Sequence, residues 1–279
     1  MKDIKSFILE KKVVNFGNAK SNYGQCTILV GGSGSGKGFI KNTKILGQFK
    51  SVDVDEMKKM YIKLQKAGKI DDKYDYDLSK ADDTFKLHAV VKNHGWKEKQ
   101  RKLFWDQRNT DTKNLPNILW DMVSGDPEDV LEVIKYAKPC GYNITLVWVC
   151  CNVETAKQGN QHRQRRVPEK VLEAGHKGAY KCITEILSNK YPIITEGIDM
   201  AWIAFSAGYK RMLSDKFKKD EVLKVKKDEE GKFIFDKEFV DDFLKEQMPL
   251  DPNWDDKQEA EKIRKSKLIS KKLNESFEQ

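Results

Sequence analysis

Arginine, histidine, proline and cysteine are all scarce in this chain of 279 residues, and each scarcity excludes something. The five cysteines, Cys26, Cys140, Cys150, Cys151 and Cys182, are odd in number and include no C-x-x-C pair. A disulfide framework and a structural zinc site are therefore not expected, and a reducing compartment suits the chain. The four histidines, His88, His94, His162 and His176, form no ligand set with them. No apolar run reaches the roughly 18 residues that span a bilayer, and Met1 to Glu10 lacks the apolar stretch of a signal peptide. The expectation is a cytoplasmic protein without membrane contact, in the host cytoplasm if the chain is phage-encoded.

Basic residues number 52 against 43 acidic ones, a net charge of +9, yet only seven of the 52 are arginine. Three of those seven are Arg163, Arg165 and Arg166. Where lysine is the default cation, a cluster of planar guanidinium forks points to a ligand rather than to a solvated face. The dispersed lysine is weak evidence for a polyanionic partner.

Apolar, β-favouring runs are short and widely spaced: Cys26 to Val30, Phe49 to Val54, Asn117 to Trp120, Asn143 to Cys150 and Met200 to Phe205. Helical segments separate them. Pro127 to Ala137, for example, has Asp126 as N-cap, proline at its first position and acids in its first turn. Alternation of this kind predicts an α/β fold on a parallel sheet. Residues 56–114 are too long for one crossover and are expected to be a largely helical insertion covering one end of the sheet. After about Lys216 the composition shifts, with a β-hairpin expected around Asp228 to Gly231 and a charged helical tail from Lys257 to Glu278. The expected organisation is a body of residues 1–215 and an extension of residues 216–279.

The most specific motif is "GGSGSGKG", with five glycines in eight positions directly after an apolar strand. Gly31, Gly32, Ser33, Gly34, Ser35, Gly36, Lys37, Gly38 and Phe39 have the pattern and context of a phosphate-binding loop. Backbone N–H groups there converge on phosphate oxygens, and the lysine reaches the β and γ phosphates of a nucleoside triphosphate, ATP or GTP. The position after the lysine, which usually carries a Mg²⁺-ligating hydroxyl, is Gly38. The magnesium shell is then expected to draw on Ser35, water and Asp121.

Asp53 and Asp55 follow the second run, with Asp55 eighteen residues beyond Lys37. On a continuing strand they share one face, where Asp55 is placed to accept a proton from an acceptor hydroxyl and Asp53 to touch substrate. Their alternative role is to cap a helix beginning at Glu56. Asp121 ends the third run, a common position for an acid that orients Mg²⁺ or its water. Ser124 and Asp126 suit a turn and a cap. Beside the arginines, His162 is a candidate substrate contact, with a surface or packing role as its alternative. Residues 94–108 interleave Trp96, Phe104 and Trp105 with cations, a pattern that suits stacking on a nucleic-acid strand or one buried stripe with snorkelling lysines.

Taken together, "GGSGSGK", the pair Asp53 and Asp55, "NILWD", "GYNITLVWV" and "RQRRVPEKVLEAGH" resemble the zeta-toxin-like P-loop kinases across residues 26–206. They are also similar to polynucleotide kinases and to phage kinases acting on nucleotides or DNA bases. The resemblance implies a three-layer P-loop kinase-like fold, with Lys37 on phosphates, Asp55 as base, Arg163 and Arg165 clamping the γ-phosphate, and Arg166 beside them. Met122, Val123 and Gly125 occupy the stretch where the family places polar substrate contacts, so the acceptor stays open among nucleotides, nucleotide sugars and nucleic acids. Two rival functions remain at this point: an NTP hydrolase coupled to assembly or nucleic-acid remodelling, and a nucleotide-binding structural protein with decayed catalysis.

Overall fold

The computed structural model describes residues 24–43, 49–93, 115–123, 125–161, 166–208, 211–218, 221–252 and 255. The order of elements is β1 (Gln25–Val30), α1 (Lys37–Thr43), β2 (Lys50–Asp53), α2 (Val54–Lys66), α3 (Ala81–Asn93), β3 (Ile118–Met122), α4 (Pro127–Ala137), β4 (Asn143–Cys151), α5 (Val153–Gln161), α6 (Glu169–Leu187), α7 (Pro192–Gly197), β5 (Met200–Ser206), α8 (Asp215–Lys218), β6 (Val222–Lys227), β7 (Phe233–Ile234) and α9 (Lys237–Lys245).

The strands form one sheet in the order β2-β3-β1-β4-β5-β6-β7. The first five run parallel, and β6 and β7 add antiparallel. β1 and β4 lie at its centre and are buried along nearly their whole length, which is why they read as continuous apolar runs. Side-chain alternation divides the core between the two faces. Cys26, Ile28 and Val30 face α4, α6, α7 and α9 through Val133, Ile183, Ile194 and Phe243. Leu29, Val147 and Val149 face α1 through Ile40. Helices on both faces of a mostly parallel sheet make the three layers that the sequence predicts.

Local chemistry accounts for the element ends. The Asp126 carboxylate accepts the Glu128 N–H at 3.0 Å, and Pro127 opens α4, as expected from the sequence. The hairpin is also present. The Asp228 carboxylate accepts from the Glu230 and Lys232 N–H groups, and Gly231 takes the positive φ of 78° that turns the chain. Of the long middle stretch, the described residues include α2 and α3, which share a small core of Met57, Tyr61, Leu87 and Val91. Residues 94–114, with the interleaved aromatics and cations, lie outside the described residues, as do the tail beyond 255 and Ser124. All five cysteines are free and buried. Among the described residues no helix is long and apolar enough to cross a membrane.

Candidate active site

The carboxyl ends of the parallel strands collect the chain's candidate residues. β1 lies between β3 and β4, and the chain leaves it toward one side of the sheet and later returns to the other. Ligands bind at such a reversal in open α/β sheets. The loop 31–36 rises from the end of β1, and α1 begins at Lys37. Its backbone turns sharply: Ser35 N–H donates to the Gly32 carbonyl at 3.2 Å, and Gly34 and Gly36 have φ of 80° and 95°. At Gly34 the positive φ and a close approach act together, because a Cβ there would lie 2.6 Å from the Ala156 carbonyl oxygen of α5.

Lys37 folds its side chain back under the loop. Its Nζ donates to the Gly31 carbonyl at 2.6 Å and the Gly32 carbonyl at 3.4 Å, and it stands 3.8 Å from the Asp121 carboxylate. An ammonium is thereby held at the loop's hollow. Register brings the acids to the same place. Asp121 pairs with Leu29 on β1 and with Asp53 on β2. Burial pushes the Asp121 carboxyl up to about 6. Lys37 and Lys41 draw it down, and Asp53 and Asp55 push it further up. Those influences mark Lys37, Asp53, Asp55 and Asp121 as one electrostatic unit.

One expectation about the acids is corrected. β2 ends at Asp53 and α2 begins at Val54, so Asp53 and Asp55 do not share the face of a continuing strand. Asp53 is the N-cap of α2, and its carboxylate accepts the Asp55 N–H at 2.8 Å. Asp55 stands in the first helical turn with about a third of its side chain exposed, 3.5 Å from the buried Lys58 ammonium. The helix starts two residues earlier than expected because Asp53 itself satisfies its first free N–H. No sequence motif marks Lys58.

The hydroxyl of Ser35 is buried with no hydrogen-bond partner among the described residues. It is turned under the loop, 2.7 Å from where a Gly31 Cβ would stand. Gly38 and Phe39 are exposed at the start of α1. Among the described residues no group of three or more His, Cys, Asp or Glu is arranged to hold a metal unaided. A magnesium ion beside a nucleotide does not need one, since phosphate oxygens and water fill most of its octahedron. The Asp121 carboxylate, next to Lys37 and the neighbouring acids, fits the single protein oxygen such an ion takes.

Arg163, Arg165 and His162 lie outside the described residues. Arg166 is exposed. The ends of their segment are fastened. Asn160 on α5 donates through Nδ2 to the Val167 carbonyl at 2.8 Å and accepts the Val167 N–H at 3.0 Å. Lys157 adds a charged clasp, with Glu154, Glu169 and Glu173 at 3.0, 2.7 and 2.6 Å. The sequence does not reveal this fastening, nor the contact of His176 with the loop. His176 Nε2 is 2.9 Å from the Ser33 carbonyl oxygen. A cavity of about 320 Å³ opens beside the ring, between Trp148, Asn152, Tyr180 and Leu244.

Sheet order, glycine loop and half-buried lysine together define an α/β P-loop kinase-like fold. No protein-family model matches the chain, and no curated protein matches it. Among solved structures it is similar to the AvrRxo1-ORF1:AvrRxo1-ORF2 complex with sulphate ions, at 14% identity and a TM-score of 0.48 over 86% of this chain and 71% of that one. It is also similar to an AvrRxo1-ORF1:-ORF2 structure with ATP, at 14% identity and a TM-score of 0.47 over 90% and 73%. A third similar structure is of the PezAT chromosomal toxin-antitoxin system of Streptococcus pneumoniae, at 13% identity and 0.44 over 97% and 95%. At these values no residue role passes from those proteins to this chain.

Proposed function

We propose that the chain is a P-loop phosphotransferase of the zeta-toxin-like kind, moving the γ-phosphate of ATP or GTP to a hydroxyl of a nucleotide, nucleotide sugar or nucleic acid. The observation that carries this reading is the Lys37 ammonium held inside the glycine loop, 3.8 Å from Asp121 at the carboxyl end of the sheet. In the bound complex Lys37 exchanges its loop carbonyls for phosphate oxygens. The exchange leaves its charge compensated throughout, so it carries no desolvation cost of a bare cation. Asp121 would hold hydrated Mg²⁺, which when bound neutralises charge on the phosphate oxygens.

Asp55 takes the acceptor's proton. It is exposed enough to meet an acceptor, and the Lys58 ammonium stands 3.5 Å from its carboxylate. Arg163 and Arg165, with Arg166, neutralise the charge that spreads over the transferred group. Asp53 serves the site chiefly by starting α2 and so presenting Asp55. No covalent enzyme intermediate is needed, because positioning and charge neutralisation suffice for phosphoryl transfer.

The test is incubation with γ-labelled ATP and Mg²⁺ against oligonucleotides, nucleotides and nucleotide sugars. Label is expected in one acceptor class and is expected to vanish in Lys37→Ala. Asp55→Asn is expected to lower transfer by about 10²–10⁴-fold, the usual worth of a general base. Label recovered only as free phosphate identifies a hydrolase, and no turnover with intact ATP binding identifies a nucleotide-binding structural protein. Transfer undiminished in Asp55→Asn removes the base assignment.

A further inference from the structure

The phosphate loop has a partner that no motif announces. His176 stands in the second turn of α6, far from the loop in sequence, yet its ring packs directly on Gly32. A Cβ on Gly32 would lie 2.1 Å from His176 Cδ2 and 2.3 Å from Nε2. Only glycine at position 32 allows the ring to approach, so the second glycine of the motif serves the histidine rather than a turn. The ring nitrogen reaches one atom of the loop, the Ser33 carbonyl oxygen at 2.9 Å. A carbonyl only accepts, so Nε2 carries the proton in this contact.

That hydrogen bond acts on a peptide plane flanked by two glycines. Ser33 lies between Gly32 and Gly34, which lack the Cβ that would restrict rotation of the two flanking peptides. The Ser33–Gly34 peptide is trans, as every described peptide is, so its carbonyl and the Gly34 N–H point in opposite directions. Fixing the carbonyl on the side of α6 therefore turns the Gly34 N–H away from the ring. A nest for phosphate requires a fixed orientation of its N–H groups.

We propose that His176 is the positioning residue of the phosphate loop: its Nε2–H holds the Ser33 carbonyl outward and so aims the Gly34 N–H at the bound phosphate. The proposal rests on the P-loop reading above and adds a residue to it that touches neither phosphate nor acceptor. Crowding alone does not hold the ring in place, because a cavity of about 320 Å³ borders it. The directed contact to Ser33 holds it instead. The histidine thus references the loop to α6.

The experiment measures ATP affinity in the presence of Mg²⁺ by titration calorimetry on the full chain and on Lys37→Ala, His176→Phe and His176→Gln. It also records the ¹⁵N ring spectrum of His176 in the unliganded protein. His176→Phe keeps an aromatic ring beside Gly32 but no donor, and is expected to weaken ATP binding about tenfold, the scale of one hydrogen bond's loss. His176→Gln, whose amide N–H can reach the same carbonyl, is expected to recover binding to within about threefold of the unaltered chain. The ring spectrum is expected to show the Nε2–H tautomer.

Unaltered affinity in His176→Phe overturns the proposal, and so does equal weakening in both variants, since a merely structural ring would not be rescued by an amide. If His176→Phe does not fold, the tautomer and His176→Gln decide, and an Nδ1–H ring overturns the proposal by itself. Failure of the unaltered chain to bind ATP has a different signature. It overturns the P-loop reading, and the role of His176 falls with it, whereas binding that is lost in Lys37→Ala but not in His176→Phe overturns the histidine alone.

Discussion

Burial and a neighbouring ammonium act on Asp121 in opposite directions, and burial wins. Its carboxyl is pushed up to about 6 from an ordinary 3.8, with Asp53 and Asp55 adding to the rise and Lys37 and Lys41 only moderating it. Between about pH 4 and 6 the folded chain therefore holds a proton that the unfolded chain has released. Stability from this group is greatest below pH 4 and declines as pH rises through 6, a difference corresponding to about 3 kcal/mol. Asp121→Asn, which cannot ionise, lacks that slope. Thermal unfolding across pH 4 to 7 is expected to show the variant gaining on the unaltered chain as pH rises, and parallel curves would contradict the assignment. If Asp121 holds magnesium as proposed, the ion adds to Lys37 in compensating a carboxylate that burial penalises.

At the scale of elements, α5 and α6 bracket the arginine segment, and two side chains of α5, Lys157 and Asn160, fasten its ends. Asn160 pairs with Val167 through both halves of its amide, as one backbone strand pairs with another. Asn160→Ala removes both hydrogen bonds and is expected to lower the unfolding free energy by about 1–2 kcal/mol. Asn160→Asp keeps the acceptor, loses the donor and is expected to fall between the two, as chemical denaturation would measure. If Arg163 and Arg165 serve the γ-phosphate, Asn160→Ala also lowers label transfer more than it weakens ATP binding.

This is the kind of device that a sequence conceals. The glycine loop was legible because its chemistry is local: glycines, lysine and the preceding strand are contiguous. Helix α4 was legible for the same reason, with cap, proline and first-turn acids in one short run. Asp53 and Asp55 were found but misplaced, because strand alternation and N-capping both account for an acid at that position and only the backbone decides between them. Asn160, Lys58 and His176 were not found at all. Each acts through a partner brought near by folding, and His176 meets Ser33 across 143 positions of sequence.

For the whole molecule the question is how far one core extends. The composition changes after about Lys216, and an extension was expected there. In the fold, β6 hydrogen-bonds to β5, and α9 places Val240 and Phe243 in the same apolar cluster as the central strands. Phe205 of β5 meets Phe243 with ring centroids 4.7 Å apart, and Phe217 joins them at 5.8 Å from Phe205 and 5.1 Å from Phe243. A charged surface over such a cluster changes the composition without dividing the core. Phe243 is fully buried, and Phe243→Ala is expected to cost about 3–5 kcal/mol through lost burial and the cavity left behind. Because β5 also ends at the candidate site, that loss is expected to be felt by the entire sheet. Tryptophan fluorescence, dominated by Trp120, Trp148 and Trp202 of the sheet among the described tryptophans, and far-ultraviolet circular dichroism should then report one coincident unfolding transition in both proteins, at lower denaturant in the variant. An early transition confined to residues 222–245, with the sheet's own midpoint unmoved, would instead show two bodies that fold separately.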